Sequence, residues 1–135
     1  MAGFPAVEQL LPHRGSMLLI DAVLSYEADS IVTRATASPE GMPAWMGVEL
    51  MAQAAAACAG MEARRGGRIG HTQPRRGMLV GCRAYRAASP SFSGVLTIKA
   101  SRTAWDDSGF SVFDCSVTTP SGEALATGTI QVLIQ

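Results

Sequence analysis

The stretch from Pro43 to Met61 reads PAWMGVELMAQAAAACAGM, and its only strongly polar side chains are Glu49 and Gln53. Because these two residues stand four apart, a helix would place them on one face, one turn from each other. The other side chains of that helix are Ala, Met, Leu, Val, Cys and Trp, which predicts burial on nearly every side. A carboxylate is rarely buried without a partner or a chemical role, so Glu49 is the first candidate for catalysis.

Strand-like runs surround this helix, which we expect to span residues 43–65 and to end where two glycines follow. The runs lie at Met17–Tyr26, Ile31–Ala37, Met78–Ala87, Gly94–Thr103, Phe110–Thr118 and Ala124–Ile134. Short turns and alternating apolar and polar residues favour antiparallel neighbours. We therefore predict one α+β domain over residues 1–135, in which a curved antiparallel sheet of about five to six strands wraps around one long central helix.

Composition narrows the range of functions. The chain has 135 residues with 11 basic and 11 acidic side chains, and a formal net charge of zero argues against nucleic-acid binding. Only 16% of the residues are charged and 47% are hydrophobic, which favours apolar surface buried between subunits. The cysteines form no zinc-type cluster and indicate core positions in a reducing compartment. With no signal peptide or membrane span evident, we expect a cytoplasmic protein without metal or cofactor.

Three parts of the sequence resemble the bacterial 3-hydroxyacyl-carrier-protein dehydratases, which have the hotdog fold. LLPHR at Leu10–Arg14, followed by MLLID at Met17–Asp21, is similar to the N-terminal signature of that family. Met42-Pro43, followed by ELMAQA from Glu49, resembles the start and the middle of the family's central helix. Residues 78–89 resemble the next strand, whose residues pair across the family's dimer.

The resemblance implies removal of water from a 3-hydroxyacyl group on an acyl carrier protein, which yields the trans-2-enoyl thioester without a cofactor. This reaction needs a base for the α-proton and an acid for the departing hydroxyl. A carboxyl group in an apolar site can hold its proton near neutral pH, so we expect Glu49 to be the acid. Gln53 would either orient the Glu49 carboxyl or satisfy a buried backbone group.

The sequence departs from the family at its histidine. In place of a His-Phe-Pro-Gly type motif before the helix it has Ala35-Thr-Ala-Ser-Pro39, and no histidine occurs between Arg14 and Gly70. His13 lies in a segment that lines the family's acyl tunnel, which makes it the candidate base. His71 lies in a Gly- and Arg-rich stretch, where we expect solvation only. The departure favours polyene or polyketide-like lipid synthesis over core fatty-acid synthesis.

Further residues are assigned to the substrate and its carrier. The first helical turn, around Ala44 to Met46, would offer free amides to the thioester carbonyl, with Pro43 at its start and Trp45 as core or tunnel wall. The resemblance adds Gly81 as a substrate contact. Seven basic and no acidic residues lie between positions 64 and 86, as either a solvated surface or a docking patch for an acidic partner. A carrier protein would suit the second interpretation, and its docking residues would be Arg75, Arg76, Arg83 and Arg86.

Two other functions stay open. A hotdog thioesterase, in which Glu49 and Gln53 activate water, would not need the loop histidine. A non-catalytic acyl-binding subunit would complete a site on another hotdog protein. We expect a homodimer or an oligomer of dimers, but the sequence does not distinguish it from a heterodimer. Nor does it decide whether His13 and Glu49 of one site come from the same subunit.

Overall fold

The computed structural model describes residues 3–65 and 77–134. Helix α1 spans Val7–Leu10 and the central helix α2 spans Gly47–Arg65. The strands are β1 Ile20–Glu27, β2 Ser30–Thr36, β3 Met42–Pro43, β4 Gly77–Ala87, β5 Ser91–Phe92, β6 Val95–Trp105, β7 Phe110–Thr118 and β8 Ala124–Ile134. Single 3-10 turns occupy Gly15–Met17 and Ala44–Met46.

Six strands form one antiparallel sheet in the order β1-β2-β6-β7-β8-β4, and β3 pairs separately with β5. Together with the single long helix, this sheet confirms the predicted α+β hotdog architecture. The short link from β4 to β6 does not form a hairpin, because β6 pairs with β2 and β7 while β4 pairs with β8. Residues of that link pair instead with the segment before α2, where Phe92 lies opposite Met42.

Helix α2 packs against one face of the sheet through small residues. Ala54, Ala55, Ala57 and Cys58 are fully buried, and short side chains allow the helix to approach the sheet closely. The sheet contributes larger residues to the same core, and those that are fully buried include Leu96, Ile98, Phe113 and Ile130. Burial of each such side chain is worth about 1.5–3 kcal/mol, so this layer dominates the stability of the fold.

The central helix begins later than the sequence predicts. Pro43 belongs to β3, and the 3-10 turn from Ala44 leads into α2 at Gly47. The Ala44 N–H donates to the Pro90 carbonyl at 2.9 Å, which ties this segment to the β4–β5 link. Similarly, β1 begins at Ile20 because a 3-10 turn at Gly15–Met17 precedes it. In both places, contacts to distant parts of the chain override the local pattern.

Strand β4 forms one edge of the sheet and exposes apolar side chains. Met78, Leu79 and Val80 are 56%, 41% and 55% exposed. A long edge strand with exposed apolar residues is typical of an edge that pairs with another chain. None of the helices in residues 3–65 and 77–134 is long and apolar enough to cross a membrane.

Candidate functional site

His13 and Glu49 lie next to each other near the N-terminal end of α2. Nε2 of His13 is 3.5 Å from Oε2 of Glu49, and both residues belong to one chain. The Glu49 side chain is 42% exposed, which is more than its apolar sequence surroundings predict. The reason is that Glu49 faces the segment that carries His13, which covers its side chain only partly.

Gln53 connects the carboxylate of Glu49 to the chain before β1. Its Nε2 donates to Oε2 of Glu49 at 2.8 Å and to the Met17 carbonyl at 2.7 Å. Its Oε1 accepts from the Leu19 N–H at 2.9 Å and from the Ile20 N–H at 3.3 Å. Gln53 is fully buried, so these bonds satisfy its amide group without water. Both alternatives expected for Gln53 are therefore present in one geometry.

Arg14, the residue after His13, fixes the backbone of this segment. Its guanidinium donates to the carbonyls of Leu11 at 2.7 Å, His13 at 2.6 Å and Glu8 at 2.9 Å. Two of these carbonyls, those of Glu8 and Leu11, belong to α1 and its C-cap. Arg14 thereby anchors the loop that carries the imidazole to a helix end. Sequence reasoning assigned no site role to Arg14, since its acceptors are backbone atoms that leave no pattern.

The polar neighbours of Glu49 leave part of the carboxylate open. His13 and Gln53 both lie against Oε2, and no described residue forms a hydrogen bond or an ion pair with Oε1. The Nδ1 atom of His13 is buried and has no hydrogen-bond partner in the same residues. A carboxyl oxygen that is free to meet a ligand, next to an imidazole nitrogen, is an arrangement that can transfer protons.

The turn before α2 differs from the predicted first helical turn. The amide of Ala44 is occupied by Pro90, and the Ala44 carbonyl accepts from both the Gly47 N–H and the Tyr85 hydroxyl. The 3-10 turn bonds the Met46 N–H to the Pro43 carbonyl, three residues earlier, and helix geometry leaves the Trp45 N–H without an acceptor inside the turn. Of the expected donors, therefore, the Trp45 amide is the one left for a ligand.

Trp45 is not a core residue, because it is 72% exposed. The turn that carries it has about three residues per turn, so the helical periodicity of α2 does not extend to it. Tyr85 of β4 also reaches this turn, where its hydroxyl donates to the Ala44 carbonyl. Burial raises the pKa of its hydroxyl, which keeps the group a donor. No signal in the sequence links Tyr85 to this turn.

The remaining assigned residues lie on or beside β4. Gly81 is opposite Gln131 of β8, and no described contact joins it to Glu49. Arg83 and Arg86 are exposed on β4. Arg75, Arg76 and His71 lie outside the residues that the structure describes. In the described ranges, no group of three or more His, Cys, Asp or Glu side chains could hold a metal ion.

Comparison with known proteins identifies a matching protein family. A family model described as "ApeP-like: ApeP dehydratase" matches residues 5–135. The chain is also similar to a solved structure of the dehydratase heterocomplex ApeI:P from Xenorhabdus doucetiae, with a TM-score of 0.86 and 24% identity over 98% of this chain and 92% of that one. No curated protein sequence matches this chain.

Two further solved structures share the fold at lower similarity. A hypothetical thioesterase with coenzyme A from Streptococcus pneumoniae TIGR4 has a TM-score of 0.60 and 12% identity, with 84% of each chain covered. The PaaI protein of the phenylacetic acid degradation operon of E. coli has a TM-score of 0.59 and 14% identity over 82% of this chain and 80% of that one. These matches confirm the hotdog fold, and the family match confirms the predicted relation to hotdog dehydratases.

Proposed function

Because this chain belongs to the ApeP-like dehydratase family, we propose that it removes water from a 3-hydroxyacyl thioester on an acyl carrier protein. The product would be the trans-2-enoyl thioester. The observation that carries the proposal is the contact between His13 and Glu49 at 3.5 Å, together with the open oxygen of Glu49. Dehydration needs a proton acceptor and a proton donor in one site, and this pair supplies both.

In the proposed reaction, His13 is the base and Glu49 is the acid. Nε2 of His13 removes the α-proton, and the electrons of that C–H bond form the new double bond. As the bond between the β-carbon and the hydroxyl oxygen breaks, the Glu49 carboxyl donates a proton from Oε1 to that oxygen, and water leaves. The proton on His13 then returns to Oε1 of the neighbouring Glu49 carboxylate, which restores both groups for the next turnover.

The thioester carbonyl would lie at the turn before α2. The amide of Trp45 has no acceptor inside the 3-10 turn and could donate to this oxygen. Such donors stabilise the negative charge that develops on the carbonyl when the α-proton leaves. Pro43 and Ala44 would border the same position, and Gly81 stays a predicted substrate contact on β4.

The carrier protein would dock beside β4. Arg83 and Arg86 are exposed there and would contact acidic side chains or the phosphate of the phosphopantetheine arm. Arg75 and Arg76 are predicted to extend the same basic surface. These four arginines would supply carrier recognition, while the apolar edge of β4 would pair with a second hotdog chain. That chain is either another copy or a different subunit, as in the heterocomplex ApeI:P.

The test is mass spectrometry of a 3-hydroxyacyl carrier protein after incubation with the purified chain. Loss of one water from the acyl group, abolished by Glu49→Gln, is the expected result. Release of the free acid would reassign the protein to thioester hydrolysis. Water loss that occurs only after a second hotdog chain is added would identify this chain as one subunit of a heteromeric enzyme.

Thioester hydrolysis is the second candidate, because the exposed oxygen of Glu49 could also activate water and because a thioesterase shares the fold. The two reactions differ in their need for His13. His13→Asn should lower dehydration about 100-fold, as expected for loss of a general base, but should leave hydrolysis within about twofold. His71→Asn is the matched control, since it removes the only other histidine of the sequence.

A further inference from the structure

Strand β4 is irregular at the position of Tyr85. Its register with β8 shifts between Arg83 and Arg86, and Ala84 has a φ of +55°. Residues other than glycine rarely adopt this left-handed conformation, and it persists where the surrounding structure requires it. An extra residue in a bulge changes the face to which the next side chain points. The bulge thus directs Tyr85 from the edge strand towards the start of α2.

Two glycines make room for the Tyr85 ring. A Cβ built on Gly47 would lie 2.9 Å from Cζ of Tyr85 and closer still to its hydroxyl, and one built on Gly128 would lie 3.2 Å from Cδ1. Gly47 has ordinary helical dihedrals, with φ −58° and ψ −32°, so the backbone does not require a glycine. Since alanine is the better helix former, the missing side chain at Gly47 is explained by the space that Tyr85 occupies.

Tyr85 and Pro90 together hold the turn that leads into α2, and we call their two hydrogen bonds to Ala44 the clamp. The Tyr85 hydroxyl donates to the Ala44 carbonyl, while the Ala44 amide donates to Pro90 at 2.9 Å. Both polar groups of the Ala44 backbone are therefore held by the segment from β4 to β5. The Trp45 and Met46 amides lie between this clamp and Gly47, and Glu49 follows within the first turn of α2.

We propose that Tyr85 is a positioning residue, whose hydroxyl fixes the amide of Trp45 relative to Glu49 and His13. Tyr85 acts through Ala44 and does not touch the reacting atoms. The inference rests on the proposed dehydration, because it assumes that this amide holds the thioester carbonyl. A shift of this turn would misalign the carbonyl with the proton-transfer groups and slow the reaction without removing any of them.

Tyr85→Phe tests the clamp by removing one hydroxyl. Loss of this hydrogen bond should speed amide hydrogen exchange in residues 45–48 and lower kcat, each about tenfold, with KM within about twofold. The pH profile of kcat should keep its shape, because His13 and Glu49 are unchanged. Thr33→Val is the control, since the Thr33 hydroxyl also donates to a backbone carbonyl, that of Ile98, but lies within the sheet and away from this turn.

Gly47→Ala approaches the same clamp from the helix. Helix propensity alone predicts a more stable α2, but the added Cβ would displace the Tyr85 ring and produce the same faster exchange and lower kcat. In the Tyr85→Phe background, Gly47→Ala should change amide exchange and kcat by less than it does in the wild type, because the hydroxyl that it displaces is already absent. Full additivity of the two substitutions would contradict a shared clamp.

Amide hydrogen exchange and kcat together distinguish failure of this inference from failure of the proposed function. Unchanged exchange in residues 45–48 of both variants overturns the clamp, whatever the activity. Faster exchange with unchanged kcat overturns the positioning role. If the wild-type chain removes no water, the proposed dehydration fails, and faster exchange in both variants still supports the clamp.

Discussion

At the N-terminal end of α2, Glu49 faces His13 across 3.5 Å, whereas at its C-terminal end Glu62 contacts Nη1 of Arg102 at 2.6 Å. One oxygen of Glu49 has no partner among the described residues, while the Arg102 side chain is only 6% exposed. The first pair is long and leaves one carboxyl oxygen without a partner, whereas the second is short and has an enclosed guanidinium beside a half-exposed carboxylate. One helix thus carries a loose pair suited to proton transfer and a tight pair suited to holding the fold.

The pair of Glu62 and Arg102 joins three parts of the chain. The Arg102 guanidinium lies 5.4 Å from the centre of the Phe113 ring and 5.7 Å from that of Trp105. Nη1 is also 3.9 Å from Oδ1 of Asp29. The backbone carbonyl of Asp29 accepts from the backbone N–H of Arg102 at 2.7 Å. Arg102 therefore ties α2 to β6 and to the turn between β1 and β2. A group fixed by so many contacts stabilises the fold and has little freedom for chemistry.

The largest expected effect is a loss of activity that distinguishes the carboxylate of Glu49 from that of Glu62. Glu49→Gln removes the proposed acid and should lower kcat for dehydration about 1,000-fold, within the range for general acid–base catalysis. Glu62→Gln is the matched control and should change kcat by less than about twofold, because it lies at the other end of α2. Steady-state kinetics measures kcat of both variants. Similar losses of kcat would contradict a catalytic role that belongs to Glu49 and not to Glu62.

Gln53→Leu should produce the next largest effect. The substitution leaves the Met17 carbonyl and the Leu19 and Ile20 amides without their partner, which should lower the free energy of unfolding by about 3 kcal/mol. Urea unfolding measures this loss. Gln131→Leu is the control and should change stability by less than about 0.5 kcal/mol, since Gln131 is only partly buried. Equal effects would mean that the buried amide network adds nothing.

A smaller effect should distinguish the two partners at the C-terminal end. Glu62→Gln leaves an enclosed guanidinium without its closest carboxylate and should cost about 2 kcal/mol of unfolding free energy. Arg102→Met should cost only about 1 kcal/mol, because it fills similar space and leaves carboxylates that are half-exposed.

Arg34→Met provides the control for this asymmetry. The pair of Arg34 and Asp21 is 2.6 Å long, but both side chains are 40% or more exposed, so its loss should cost less than about 0.5 kcal/mol. Urea unfolding of the three variants compares them directly. A greater loss for Arg102→Met than for Glu62→Gln would mean that ring packing, and not the ion pair, stabilises this end of α2.

The smallest effect concerns Cys58, one turn before Glu62. Burial raises the pKa of its thiol from 9.0 to about 12, although the nearby Arg102 opposes the shift. Above pH 9 the unfolded chain releases this proton and the folded chain keeps it, so the stabilisation present below pH 9 is lost as the pH rises towards 12. Between pH 8 and pH 10 the loss should be about 1 kcal/mol.

Urea unfolding at the two pH values, for wild type and Cys58→Ala, measures this term. The comparison uses the change with pH within each protein, so the packing cost of the substitution cancels. Cys58→Ala should lose less stability than wild type between the two pH values. An identical loss in both proteins would assign the alkaline sensitivity to other groups.

Much of the fold could be predicted from the sequence, because burial of one face leaves a periodic pattern. The bounds of β7 and β8 are those predicted, and β4 and β6 agree to within two residues at either end. The start of α2 was missed, since Pro43 pairs in β3 and Ala44 is held by Pro90 and Tyr85. Such contacts involve residues far along the chain and leave no local pattern.

The candidate site was predicted in part. The spacing of Glu49 and Gln53 follows from helical geometry, and the structure joins them by a hydrogen bond of 2.8 Å. The departure from the family's histidine motif suggested His13. Neither Arg14 nor Tyr85 could be assigned to the site in advance, because both act on backbone carbonyls, which every residue carries.

The sequence by itself determined a single apolar helix among antiparallel strands, with one carboxylate and one amide on a shared face. These features depend on side-chain periodicity, which is local. Only the tertiary structure decided that His13 meets Glu49 within one chain, that β4 pairs with β8 and that Tyr85 holds the start of α2. Each of these contacts depends on how the whole sheet closes around the helix, because packing fixes distances between residues that sequence spacing leaves free.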